Sequence, residues 1–221
     1  MRELVELILA RRPDHVLRVA IDGPDAAGKT TLGDTLADQL AGERPVVRAS
    51  IDGFHRPRAV RLRRGPLSPE GYFLDAFDYP AVRRLVLAPL GPGGDRWYRP
   101  AVFDHRTDTP LDLPARQAPA GAVLLFDGVF LQHPELCDHW DLRVFVSVDP
   151  DETLRRALVR DAALLGGPDP VRERYRHRYL PGQRLYQQRC APLDRADVVV
   201  DNRDPHQPVL ARQAGSRCDG G

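Results

Sequence analysis

The chain has 221 residues, 42% hydrophobic and 29% charged, with a formal net charge of +1. That length suits one large domain with insertions, and the apolar share suffices for a buried core. The near-neutral balance gives no global basic field of the kind that holds nucleic-acid polymers. No apolar run approaches the roughly 20 residues that cross a bilayer.

Residues 2–12 carry acids among the apolar positions and lack the basic start and long apolar stretch of a signal peptide. They predict a short amphipathic helix with Leu4, Leu7 and Ile8 on one face. Cys137, Cys190 and Cys218 are odd in number and far apart, which fits a reducing compartment, so a cytoplasmic location is expected. Positive charge is written almost throughout as arginine; the single lysine is Lys29.

Strands are predicted at 16–21 (VLRVAI), 46–51, 122–126 (AVLLF), 142–148 (LRVFVSV) and 196–200 (ADVVV). Helices are predicted at about 29–40, 79–87, 151–165 and 171–188. Alternating strands and helices imply an α/β fold with a doubly wound, five-stranded parallel sheet. Asp22, Asp52 and Asp127 end three of the strands, so they are expected to gather at the carboxyl edge, where such folds bind ligands. Segments of about 53–78 and 89–119 are rich in Arg, Pro and Gly and read as substrate-side insertions in one domain, 1–202. Residues 203–221 are polar and predict a mobile tail.

Gly23-Pro24-Asp25-Ala26-Ala27-Gly28-Lys29-Thr30 matches G-x-x-x-x-G-K-[ST], with a strand before it and a helix after it. In such a loop successive N–H groups and the helix N-terminus offer partial positive charge to a phosphate chain. Lys29 would bridge the β- and γ-phosphates of ATP, and the Thr30 hydroxyl, followed by Thr31, would meet Mg²⁺. Asp127 follows an apolar strand and is placed to hold Mg²⁺ directly or through water, or else only opens a turn with Gly128. Asp52 is placed to accept a proton from an attacking hydroxyl, if it is more than a turn residue. It was expected on the strand adjacent to the phosphate-loop strand. His55 either contacts substrate or lies on the surface.

Ile21-Asp22-Gly23, Gly28-Lys29-Thr30-Thr31, Ser50-Ile51-Asp52-Gly53-Phe54-His55, Leu125-Phe126-Asp127-Gly128 and Ala196-Asp197-Val198-Val199-Val200 form one set. This set resembles the uridine kinase / phosphoribulokinase / pantothenate kinase family of P-loop kinases, and most of all its uridine kinase-like members. The resemblance runs from about residue 16 to 202 and implies a three-layer P-loop fold, like that of nucleoside kinases, with an arginine lid. It implies that Asp52 is the catalytic base and that Asp127 stands at the Walker B position, where the family usually has Glu. Residues 96–106 are similar to the family's substrate segment with altered spacing, which brings in Tyr98, Asp104, His105 and Arg106.

Arg156 and Arg160 stand four apart on one predicted helix face, and Arg174 and Arg178 follow a Gly-Gly-Pro break. Guanidinium groups there would close over the triphosphate as a lid spanning about 155–180. The family's Arg-Asp pair matches Arg160-Asp161. A kinase acting on a nucleoside hydroxyl leads this reading, with pantothenate or a sugar phosphate as other acceptors. A P-loop NTPase and a nucleotide-binding regulatory module are the alternatives. The lone lysine excludes the Asn-Lys-x-Asp motif by which a usual GTPase reads guanine. Partners other than a small-molecule substrate are not expected, and self-association is left open.

Overall fold

Leu17–Asp22 (β1) is buried along its whole length, as a strand covered on both faces must be. The structure, a computed structural model, describes residues 1–205 and 207–213. Val46–Ser50 (β2), Val123–Asp127 (β3), Leu142–Ser147 (β4), Val198–Asp201 (β5) and Val209–Gln213 (β6) complete the main sheet, in the order β6-β5-β4-β1-β3-β2. All neighbours run parallel except β6, which pairs antiparallel with β5. The expected five parallel strands are there, and β6 is an addition. Part of the expected mobile tail is therefore a strand: β6 covers the outer edge of β5, and Leu210 packs against the core. The rest of that tail, 214–221 with Cys218, lies outside the described residues.

Two cores lie on opposite faces of the sheet, giving three layers. One holds Leu4 and Ile8 of the helix Arg2–Ala10 (α1) and Leu32, Leu36 and Leu40 of Lys29–Leu40 (α2). A nine-residue helix is marginal alone. Burying Leu4 and Ile8 stabilises it by about 1.5–3 kcal/mol per side chain. The opposite core is aromatic, with Phe54, Phe73, Phe77, Phe126, Phe130 and Tyr186 packed edge to face or tilted. Pro150–Leu165 (α3) leads through Gly166, at φ 81°, to one long helical run. That run comprises Pro168–Arg174 (α4), a π-helical turn at Tyr175–Tyr179 and Leu180–Cys190 (α5). No described helix is long and apolar enough to cross a membrane.

The insertion after β2 is ordered by the Ser68-capped helix at Pro69–Asp75, whose buried Asp75 is clamped by Arg63 at 2.6 Å and Arg64 at 2.7 Å. The insertion at 89–119 folds as two ribbons, pairing Trp97–Tyr98 with Arg116–Gln117 and Phe103–Asp104 with Thr109–Pro110.

His133 stacks on Tyr79 with ring centroids 4.1 Å apart and planes at 13°. Burial there pushes its pKa from 6.5 down to about 4. The unfolded chain therefore takes this proton first, so the contribution is present above about pH 6.5 and is lost as pH falls toward about 4. Asp22, whose buried carboxyl has a raised pKa, acts in the opposite direction. His133→Phe is expected to flatten the pH dependence of the urea midpoint between pH 6.5 and 4 relative to wild type; an unchanged slope would refute the assignment.

Candidate active site

Gly28 sits at φ 90° at the head of α2, in the left-handed region that favours glycine. A Cβ there would fall 2.6 Å from Nδ2 of Asn202. That amide donates to the Ala27 carbonyl at 2.7 Å and so ties the end of β5 to the phosphate loop. The buried Lys29 Nζ donates to the Pro24 carbonyl at 2.6 Å. Burial lowers its pKa, while Asp25, Asp22, Asp52 and Asp127 pull it back up, in that order. The loop thus has a partly desolvated ammonium surrounded by four carboxylates that the sequence scatters over more than a hundred positions.

The three strand-end acids do not share one role. Asp127 is in register with Ile21 on one side and Ser50 on the other. The strand of Asp127, not that of Asp52, is therefore the neighbour of β1, which corrects the expected adjacency. Asp52 lies two residues beyond that register, on the short 3₁₀ turn Ile51–Phe54 capped by Ser50, and is exposed to solvent. The turn passes close over β3: a Cβ on Gly128 would meet Ile51 Cγ2 at 2.3 Å, so glycine is needed for close approach as well as for turning. Asp22 turns away from the edge altogether. It is fully buried, receives the Tyr186 hydroxyl and the Gln132 amide (3.3 Å), and accepts the Gly23 N–H at 2.8 Å. It anchors the phosphate loop to α5 rather than facing a ligand.

Thr30 Oγ1 donates to Asp127 Oδ2 at 2.9 Å. These adjacent hard oxygens suit Mg²⁺, which takes one or two protein ligands and completes its shell from phosphates and water. No cluster of three or more His, Cys, Asp or Glu among the described residues forms a protein cage for a metal. Thr31 is exposed beside them, and its carbonyl is capped by Thr35 at 2.9 Å. Two residues not singled out from sequence belong to this site. Arg48, on β2, forms an ion pair with Asp127 Oδ1 at 3.1 Å. Tyr72, in the first insertion, donates to Asp25 Oδ2 at 2.6 Å and joins the insertion to the phosphate loop.

On the side of Asp52 the two insertions meet. His55 stacks on His105 at 4.5 Å and 28°, and its Nδ1 lies 3.0 Å from the Asp52 carbonyl. Burial lowers the His55 pKa. Arg61, another residue not anticipated, donates to the His105 carbonyl at 3.4 Å. Asp104 turns back to accept the Arg106 N–H at 2.9 Å, which leaves Arg106 exposed. Tyr98 is buried in the aromatic core, so it supports the ribbon rather than presenting its ring to a ligand.

The lid arginines separate in the same way. Arg156 is taken up by Glu152 at 2.7 Å and by the carbonyls of Asn202 (2.7 Å) and Arg203 (3.0 Å), so it fixes the chain after β5. That is a correction to its expected place over the triphosphate. Arg160 is paired with its neighbour Asp161 at 2.6 and 2.8 Å. Asp25 also acts on it, so it remains near the loop. Arg174 is exposed beside Tyr179. Arg178 is buried, donates to the Pro66 carbonyl at 3.1 Å, and stands 5.4 Å from the Tyr72 ring centroid.

No family model matches the chain. It is 28% identical over 153 residues to uridine-cytidine kinase B of Dictyostelium discoideum, covering 69% of this chain. The match spans 61% of that protein and 31% of two uridine kinase-like relatives from Arabidopsis thaliana. It is 25% identical over 195 residues to a uridine kinase of Lactiplantibacillus plantarum, covering 86% of this chain and 87% of that one. A solved structure described as a possible uridine kinase from Bacillus stearothermophilus superimposes with a TM-score of 0.69 at 22% identity, over 90% of this chain and 95% of that one. In sequence and in fold, the chain groups with the uridine kinase-like P-loop kinases.

Proposed function

We propose that the chain is an ATP-dependent phosphotransferase that moves the γ-phosphate to a hydroxyl of a small molecule, with a nucleoside as the first acceptor to consider. One observation carries the reading: Lys29, Asp127 and Asp52 converge at the carboxyl ends of three neighbouring strands, and Lys29 lies in the field of both acids. The loop N–H groups and Lys29 would hold the β- and γ-phosphates. Thr30 and Asp127 would hold Mg²⁺, which when bound neutralises charge on the phosphates. Asp52, exposed and outside the loop, would accept the acceptor's proton. The nucleoside assignment draws on the names of the relatives.

A second acceptor class, with an anionic group such as pantothenate or a sugar phosphate, has its own support. The wall beyond Asp52 includes Arg61, His55 and His105, and Arg178 is held by carbonyls and a ring that leave its charge uncancelled. An acceptor screen by coupled ADP release separates these readings. Release that depends on uridine or cytidine supports the first, and release that depends only on carboxylate or phosphate acceptors supports the second. Equal release with water alone would overturn both in favour of an NTPase.

A further inference from the structure

We propose that Arg48 is a positioning residue that presents Asp127 to the metal side of the phosphate loop. The proposal rests on the phosphotransferase reading and adds a residue that no motif contains. Arg48 occupies the third position of β2, and its guanidinium runs beneath α2. Nη1 donates to the Leu125 carbonyl at 2.9 Å, two residues before Asp127 on the same strand. Nη2 pairs with Asp127 Oδ1 at 3.1 Å, and Nε and Nη2 reach Asp34 Oδ1 at 3.2 and 3.0 Å. The planar fork therefore grips β3 by its backbone and by its acid, which a point charge on a flexible stem cannot do.

The approach is permitted by Gly33 on α2. A Cβ at that position would lie 2.6 Å from both terminal nitrogens of Arg48. With Oδ1 occupied by Arg48, Asp127 has Oδ2 left for Thr30 at 2.9 Å. The two oxygens of the carboxylate are thus assigned opposite duties: one faces a fixed cation and the other faces the threonine that heads α2. Asp is the shorter of the acidic side chains, so a wrong rotamer would carry its free oxygen out of reach. The ion pair is largely shielded, with the Asp127 side chain 6% exposed and that of Arg48 25%, and solvent screens it less than a surface pair. A staple that merely joined β2 to β3 would hold the sheet together and leave metal dependence alone.

The test compares ATP affinity with excess Mg²⁺ and with EDTA by isothermal titration, alongside thermal melting. Arg48→Ala is expected to lower the gain that Mg²⁺ gives to ATP affinity by about tenfold or more, with affinity in EDTA close to wild type. Arg48→Gln keeps the length and a donor for Leu125 without the charge; it is expected to fold and to show the same loss, and it carries the test if the alanine variant does not fold. Arg48→Lys is expected to recover part of the gain. A Mg²⁺-dependent gain in the Ala and Gln variants equal to or above that of wild type overturns the proposal, whatever their melting temperatures. Wild-type protein that binds ATP tightly with no gain from Mg²⁺ removes the metal assignment and this proposal together. A wild-type chain that binds no ATP at all overturns the phosphotransferase reading itself.

Discussion

Lys29→Ala is expected to lower kcat/KM by about 10²–10³-fold or more, roughly 3–4 kcal/mol, the loss typical when one preorganised contact to a developing anion is removed. The side chain is suited to that size of effect because it is desolvated and aimed into the loop, where it donates to the Pro24 carbonyl at 2.6 Å. A phosphate oxygen would replace that carbonyl as the acceptor. Four carboxylates act on the ammonium, so its removal also leaves Asp25, Asp22, Asp52 and Asp127 without their shared counter-charge as a polyanion arrives. Lys29→Arg is expected to recover little, since the broader, planar guanidinium does not reproduce a compact charge. Steady-state ADP release, with far-UV circular dichroism to verify folding, measures the loss. Turnover near wild type in Lys29→Ala would remove the loop from the mechanism.

Asp52→Asn is expected to lower kcat by about 10²–10⁴-fold, the range for a positioned general base. ATP affinity is expected to stay at the wild-type value or to tighten slightly. The sign follows from geometry: Asp52 is exposed on its 3₁₀ turn, outside the phosphate loop, and it contributes one of the negative charges around Lys29. Removing that charge cannot weaken attraction for a nucleotide anion. Single-turnover transfer to the acceptor, measured beside nucleotide titration, separates the two effects. Loss of ATP binding in step with loss of transfer would assign Asp52 to the nucleotide side instead.

What the sequence makes legible is what short-range chemistry encodes. The five parallel strands, the helix after the loop and the phosphate loop itself each rest on fewer than about a dozen consecutive residues with their own pattern. Long-range partners leave no such trace. Tyr72 meets Asp25 across 47 positions, and Tyr186 meets Asp22 across 164, so neither pair has a local signature. Asp22 looked like the other strand-end acids because its neighbours Gly23 and Pro24 read as a turn; only the packing of α5 reveals that it points inward. Arg156 misled for a related reason. Helical spacing set it beside Arg160, but the carbonyls that hold it come from the chain after β5. β6 was hidden by the polar residues around it, because an edge strand needs little burial on its outer side.

The π-helical turn at Tyr175–Tyr179 has a consequence for what kinds of sequence change this chain can absorb. Each helical residue advances the side-chain direction by about 100°. Loss of one residue within that wide turn would let the helix close to regular winding and swing everything after it around the axis. Tyr186 would leave Asp22, and Cys190 and Gln183 would leave the interior, while every amino acid there stayed the same. The stretch from 168 to 190 is therefore constrained in length more strictly than in composition. Substitutions along it change one contact at a time, but a single-codon deletion at 175–179 would unfasten the phosphate loop from its far side.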